Sequence, residues 1–218
     1  MKSYEYLKKV DPYIYDEIFN WNVYQVNKEE ILGANVLDVG AHFGFFTCLC
    51  DSLGAKLIVA IEANPNNYLK FIETTKDVTK KIAVHAAVWG KSDKIVTIDD
   101  ESEKAAVGKG DILVNTITLK TAVDSLFPNS EDVFLKMDVE GSEYEALYNT
   151  SQKTFDRFST IALEMHEFPD TGHKFTDLDK FIQSKGFRQT WYGVFYTDRP
   201  GQERETTKNI AIFKYKRI

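Results

Sequence analysis

The 218-residue chain carries a formal charge of -6, is 43% hydrophobic and 13% aromatic, and holds two cysteines. That length suits one domain with a sizeable core, and the absence of any dense basic run except a terminal KYKR disfavours nucleic acid as a partner. No apolar stretch approaches the ~20 residues of a membrane span, the start MKSYEYLKKV lacks the apolar core of a signal peptide, and Cys48 and Cys50, two apart on a predicted helix, make no disulfide framework, so a reducing cytoplasm is the expected location.

Residues 1–30 read as an amphipathic helical arm, rich in Tyr, Phe and Trp, that packs on the domain formed by 31–218 or lies over its site as a lid. Strands are predicted at 35–39 (NVLDV) and 57–62 (LIVAIE), with a helix over 43–53 between them. A second helix covers 65–76, where Asn64 suits the cap and Pro65 the first turn. A strand follows at 82–88 (IAVHAAV), then an excursion over 90–117 with short β-like runs around DDESEKAAVGKGD. Helices at 118–127, 141–149 and 174–185 alternate with strands at 133–138 and 160–165, and Gly186 marks the last helix stop. Two closing strands, 190–197 and 209–215, have only the polar DRPGQERETT between them. Alternating strands and helices, with continuous apolar runs in the strands, predict an α/β, doubly wound, mostly parallel seven-stranded sheet with an antiparallel C-terminal hairpin.

In such a sheet ligands bind beyond the carboxyl ends of the strands. The run VLDVGAHFG places Asp38 and the glycines Gly40 and Gly44 at the first strand-to-helix turn. A dinucleotide site needs G-x-G-x-x-G, and here the middle glycine is missing. Asp38 would repel a pyrophosphate but attract a cationic ammonium and sulfonium, so the spacing favours S-adenosylmethionine over a nicotinamide dinucleotide. Glu62, ending the second strand, suits both hydroxyls of a ribose; Ala63 follows it, and Ala87 and Val88 offer small surfaces for an adenine. His42 sits in the turn for cofactor contact or packing. In DVFLKMDVEGSEYEAL, Lys136 and Asp138 share one strand face, and Glu140, Gly141 and Glu143 open a helix whose dipole favours acids.

Taken together, VLDVGAHFGFFT, IEANP, ITLKTAVDSL, FLKMDVEGSEYEAL and IALEMHEF resemble the FkbM family of methyltransferases over about residues 35 to 170. The resemblance implies a class I, Rossmann-like enzyme that uses S-adenosylmethionine, with oxygen methylation of a sugar or small-molecule hydroxyl as the expected reaction. It also implies cofactor contacts at Asp38, Gly40, Gly44 and Glu62, and Asp138–Glu140 at the active site. His42 departs from the small or amide residue usual in the family.

Hydroxyl methylation requires alignment and removal of a proton. The candidates are Asp138, which also borders the cofactor, Glu140, Glu164 and His166. Glu164 and His166 lie two apart on one strand face, so the carboxylate raises the imidazole and His166 is the first choice of base. A divalent metal on Asp138, Glu164 and His166, Mn²⁺ or Fe²⁺ before Mg²⁺, is a weaker alternative, and no metal ligand is assigned. A nicotinamide oxidoreductase and a non-catalytic cofactor-binding module are the competing functions. The acceptor expected is a small molecule or glycan.

Overall fold

The computed structural model describes residues 4–99, 110–167, 171–194 and 209–218. The N-terminal arm is a chain of short turns, because Asp11 and Pro12 restart the helix and Asn22 and Gln25 adopt positive φ. A 3₁₀ turn at Glu5–Lys9 leads to helix α1, Pro12–Tyr15, where Asp11 accepts the N–H groups of Tyr13 and Ile14. A π turn, Asp16–Asn20, and helix α2, Lys28–Ile31, complete it, the latter closed by an Asn27–Glu30 capping box.

Strand β1, Asn35–Val39, feeds helix α3, Phe45–Leu53, which starts at Gly44 and stops at Gly54 in the left-handed conformation. Strand β2 is Leu57–Glu62 and helix α4 is Pro65–Thr74, with the Asn64 side chain accepting from the Asn66 and Asn67 N–H groups. The predicted single strand at 82–88 is two. Strand β3, Lys81–His85, ends where the Ala86 N–H turns to the Glu62 carbonyl, and β4, Ala87–Val88, leaves the main sheet to pair with β6. Strands β5, Ile95–Ile98, and β6, Ile112–Ile117, are the excursion; most of DDESEKAAVGKGD lies outside the described residues.

Helix α5, Leu119–Leu126, precedes strand β7, Val133–Met137, and helices α6, Glu143–Tyr148, and α7, Gln152–Phe155, precede strand β8, Phe158–Glu167. Helix α8, Phe175–Ser184, leads to β9, Phe187–Val194, and β10 is Asn209–Arg217. The predicted end of the penultimate strand at 197 and the DRPGQERETT connection fall outside the described residues.

The seven-stranded order is β3-β2-β1-β7-β8-β10-β9, parallel from β3 to β8, with β10 antiparallel to both of its neighbours. The expected fold class is thus observed. Side-chain alternation divides the sheet between two cores. Leu37, Val59, Leu135, Ile161 and Phe213 face α5, α6 and α8, while Val36, Ile58, Phe134, Ala162 and Ile212 face α3 and the arm. No helix among the described residues is long and apolar enough to cross a membrane.

The arm is pinned to the sheet by charge as well as by apolar contact. Lys214 on β10 donates to the Gln25 carbonyl at 2.5 Å and to Glu30 at 2.6 Å, and Lys216 lies 3.0 Å from the same carboxylate. Burial works to raise Glu30, but the two lysines outweigh it and hold the carboxyl below its usual value. Burial also lowers the Lys214 ammonium, and Glu30 offsets that only in part, so the net electrostatic gain lies on the carboxylate side. Lys214→Met should destabilise the fold by about 3 kcal/mol in denaturant titrations at pH 7. Because the folded Glu30 value is depressed, the difference from wild type should be full above 4.5 and fade as pH falls through that lower value.

Candidate active site

The glycine turn after β1 is built by close backbone approach. Gly40 and Gly44 have φ of +75° and +85°, and a Cβ on Gly40 would lie 1.7 Å from the Asp138 carbonyl oxygen. The turn therefore lies against the end of β7, where the Asp138 N–H donates to the Val39 carbonyl at 3.0 Å. Glu62, at the end of β2, braces the same turn: it accepts the His42 N–H at 2.7 Å and the Asn64 N–H at 2.9 Å. Burial raises its carboxyl despite those two bonds. His42 sits at φ +49° with its ring stacked on Phe43 at 3.8 Å.

Below the turn is a buried ammonium. Asp38 and Lys136 are register partners across β1 and β7, so their side chains emerge on one face, and Asp138 follows two residues later. Lys136 Nζ donates to the Gly40 carbonyl at 2.8 Å and lies 3.6 Å from Asp38 Oδ1 and 3.7 Å from Asp138 Oδ2. Burial alone would lower this lysine, but Asp138, Asp38, Glu164 and Glu62 more than reverse it, and the ammonium stays charged. Asp38 is completely buried and accepts the Thr47 hydroxyl at 2.7 Å. Burial raises its carboxyl, against the pull of Lys136 and Thr47. Asp38, expected beside the cofactor, thus also has the protein partners Lys136 and Thr47.

On β8, Glu164 and His166 share a face, as the spacing predicts. His166 is wholly buried, with Nδ1 3.0 Å from Glu143 Oε1 and Nε2 3.6 and 3.5 Å from Glu140 and Glu164. Burial opposes protonation, yet Glu143 and Glu140 lead the carboxylates that push the imidazole well above its ordinary value. An imidazolium has no lone pair with which to take a proton. Glu164 is raised instead, by burial and then by Asp138, with His166 pulling the other way. Glu140 reaches this cluster from a left-handed backbone, φ +54°.

Two participants escape sequence reasoning. Tyr24, from the arm, donates its hydroxyl toward Asp138 Oδ2 at 3.1 Å and Glu164 Oε2 at 3.3 Å, and its ring lies 5.5 Å from Lys136 Nζ. Its only sequence signal was membership of an aromatic-rich segment. Glu143 was legible as a first-turn acid but not as the partner of His166; it is fully buried and also accepts the Val139 N–H. Ala87 and Val88 are buried in two separate hydrophobic clusters, and Ala63 packs against the first of them. His85 is exposed at the end of β3, 3.0 Å from the Ala63 carbonyl.

The donor set fits S-adenosylmethionine. A carboxylate has about four acceptor positions, and the two backbone N–H groups leave Glu62 capacity for a ribose diol. Asp138 and Glu140 supply partly exposed negative charge beside the turn for a cationic ligand.

A family model described as "Methyltransferase FkbM domain" matches residues 38–189. Among solved structures, the FkbM methyltransferase of Methylobacillus flagellatus KT aligns with a TM-score of 0.53 and 15% identity, over 91% of this chain and 47% of that one. The precorrin-6y C5,15-methyltransferase of Geobacter metallireducens GS-15 aligns with a TM-score of 0.53 and 14% identity, over 91% and 89%. No curated protein matches the chain.

The close approach at the turn has a direct test. Gly40→Ala combines left-handed strain with a collision against the Asp138 backbone, and thermal or denaturant unfolding should show a loss of about 3 kcal/mol.

Proposed function

This chain belongs to the FkbM family of methyltransferases and depends on S-adenosylmethionine; from that premise we propose that it methylates a hydroxyl oxygen on a small molecule or glycan. The observation that carries the reading is the carboxylate pair Asp138 and Glu164, bridged by the Tyr24 hydroxyl beside the glycine turn. A neutral hydroxyl must lose its proton on methylation, and Glu164 is a carboxylate with raised proton affinity in that place.

When bound, S-adenosylmethionine supplies a methyl carbon on a sulfonium sulfur, which keeps the electron pair of the broken C–S bond as the new C–O bond forms. Glu62 would accept the ribose hydroxyls of the bound cofactor, while its bonds to the His42 and Asn64 N–H groups hold the turn in shape. Lys136 neutralises Asp38 and steadies Asp138, so the acids beside the cofactor keep fixed positions. Glu164 takes the acceptor's proton. His166, as a cation, holds Glu140 and Glu164 in place, and the base role moves from the histidine to its neighbour. Tyr24 orients Asp138 and Glu164 from the arm, which is the role proposed for residues 1–30 at the site.

Incubation with methyl-labelled cofactor and hydroxylated small molecules, glycans and amines, followed by mass spectrometry, should yield an O-methyl product. Products methylated only on nitrogen or carbon would refute the proposal. Glu62→Ala should weaken S-adenosylmethionine at least about tenfold in calorimetry, a loss of one or more charge-assisted hydrogen bonds. Glu164→Gln should lower turnover about 100-fold, with cofactor affinity nearly unchanged.

A further inference from the structure

We infer that Asp138, Glu140 and His166 form a divalent-cation site at the edge of the cofactor crevice. The inference rests on the methyltransferase reading only for the role given to the ion. One donor atom from each residue lies within 4.8 Å of the others. Donors held ~2.0–2.3 Å from a common ion are themselves ~3–4.5 Å apart, so the three side chains need only small adjustments. Glu140 Oε2 and His166 Nε2 already lie 3.6 Å apart. Glu164 stood in the metal set the sequence suggested; the geometry puts Glu140 there and leaves Glu164 beside it.

An independent feature orients the imidazole. Glu143, outside the donor set and fully buried, lies 3.0 Å from His166 Nδ1 and is itself held by the Val139 N–H at 3.0 Å. That leaves Nε2 facing Glu140, the arrangement in which metal-ligating histidines are held by a carboxylate behind them. The donors also come from separate elements with fixed relative positions. Asp138 and Glu140 follow β7, His166 lies on β8, and the two strands pair through Met137 and Leu163. The side chains of Asp138 and Glu140 are 28% and 21% exposed, so an ion has a way in and coordination positions open to the crevice.

Two carboxylate oxygens with one imidazole nitrogen suit Mn²⁺ or Fe²⁺ better than Mg²⁺, and the ion takes the place of the Nε2 proton, which is released to solvent on binding, while Nδ1–H stays on Glu143. An ion there would bind the acceptor's hydroxyl oxygen and lower its pKa, and Glu164 would receive the released proton. The methyl-transfer stoichiometry is unchanged, since the ion is neither oxidised nor reduced.

The test uses the full chain, stripped with chelator, dialysed and titrated with MnCl₂, with free Mn²⁺ read by electron paramagnetic resonance. One equivalent should bind. Glu140→Gln should weaken it at least about tenfold, and Glu143→Gln, which releases the imidazole, should also weaken it. Glu29→Gln, an exposed acid on α2 far along the chain from the cluster, should bind as wild type. No binding at millimolar Mn²⁺, or wild-type binding by Glu140→Gln, overturns the site. S-adenosylmethionine binding is measured separately by calorimetry, so loss of the methyltransferase reading and loss of the metal site give different results.

Discussion

One buried ammonium ties together the carboxylate-rich edge at the ends of β1 and β7. Lys136 stands on a central strand among apolar neighbours, where an isolated charge would be severely penalised. It is tolerated because β1 presents Asp38 in register, Asp138 follows on the same face, and the Gly40 carbonyl accepts a hydrogen bond from it. The same contacts fix the glycine turn against β7. Removing Lys136 would leave the buried Asp38 carboxylate with only the Thr47 hydroxyl, so the cluster works as a unit. Gly40 has no alternative residue type for an equally local reason, the Asp138 carbonyl against which it packs.

The arm and the C-terminal hairpin lie at opposite ends of the chain and meet at the site. Lys214, on the strand inserted between β8 and β9, holds Gln25 and Glu30, and this fastening sets Tyr24 over Asp138 and Glu164. Two cations thus organise the acidic edge from either side, Lys136 beneath it and Lys214 through the arm. Both rely on the alternation of side chains across one sheet face, which also carries the apolar contacts to α3.

Carboxylates crowd this edge, and their mutual influence shifts the proton affinities of its members. Glu164 and His166 share a strand face as their spacing implied, and the carboxylate raises the imidazole as expected. The outcome differs because Glu143 and Glu140 add to that effect and push the imidazole well above its ordinary value in the ion-free protein. Glu164 is the neighbour whose proton affinity rises from the carboxylate side.

Periodicity and turn chemistry act locally, and what depends on them was legible. NVLDV and LIVAIE are strands at the predicted residues, Asn64 and Pro65 begin their helix, and Gly44 opens α3. Strand and helix alternation also determined the sheet class. The break at Ala86 was hidden because β4 pairs with β6, a strand formed about thirty residues later, and no local pattern records a change of sheet. Tyr24 lies 114 residues from Asp138, and Glu143 lies 23 from His166, so nothing in their own neighbourhoods announces either contact. Sequence alone determined which ionisable groups stand at the strand ends; tertiary packing decided which were buried together, and burial is what makes their charges act strongly on one another.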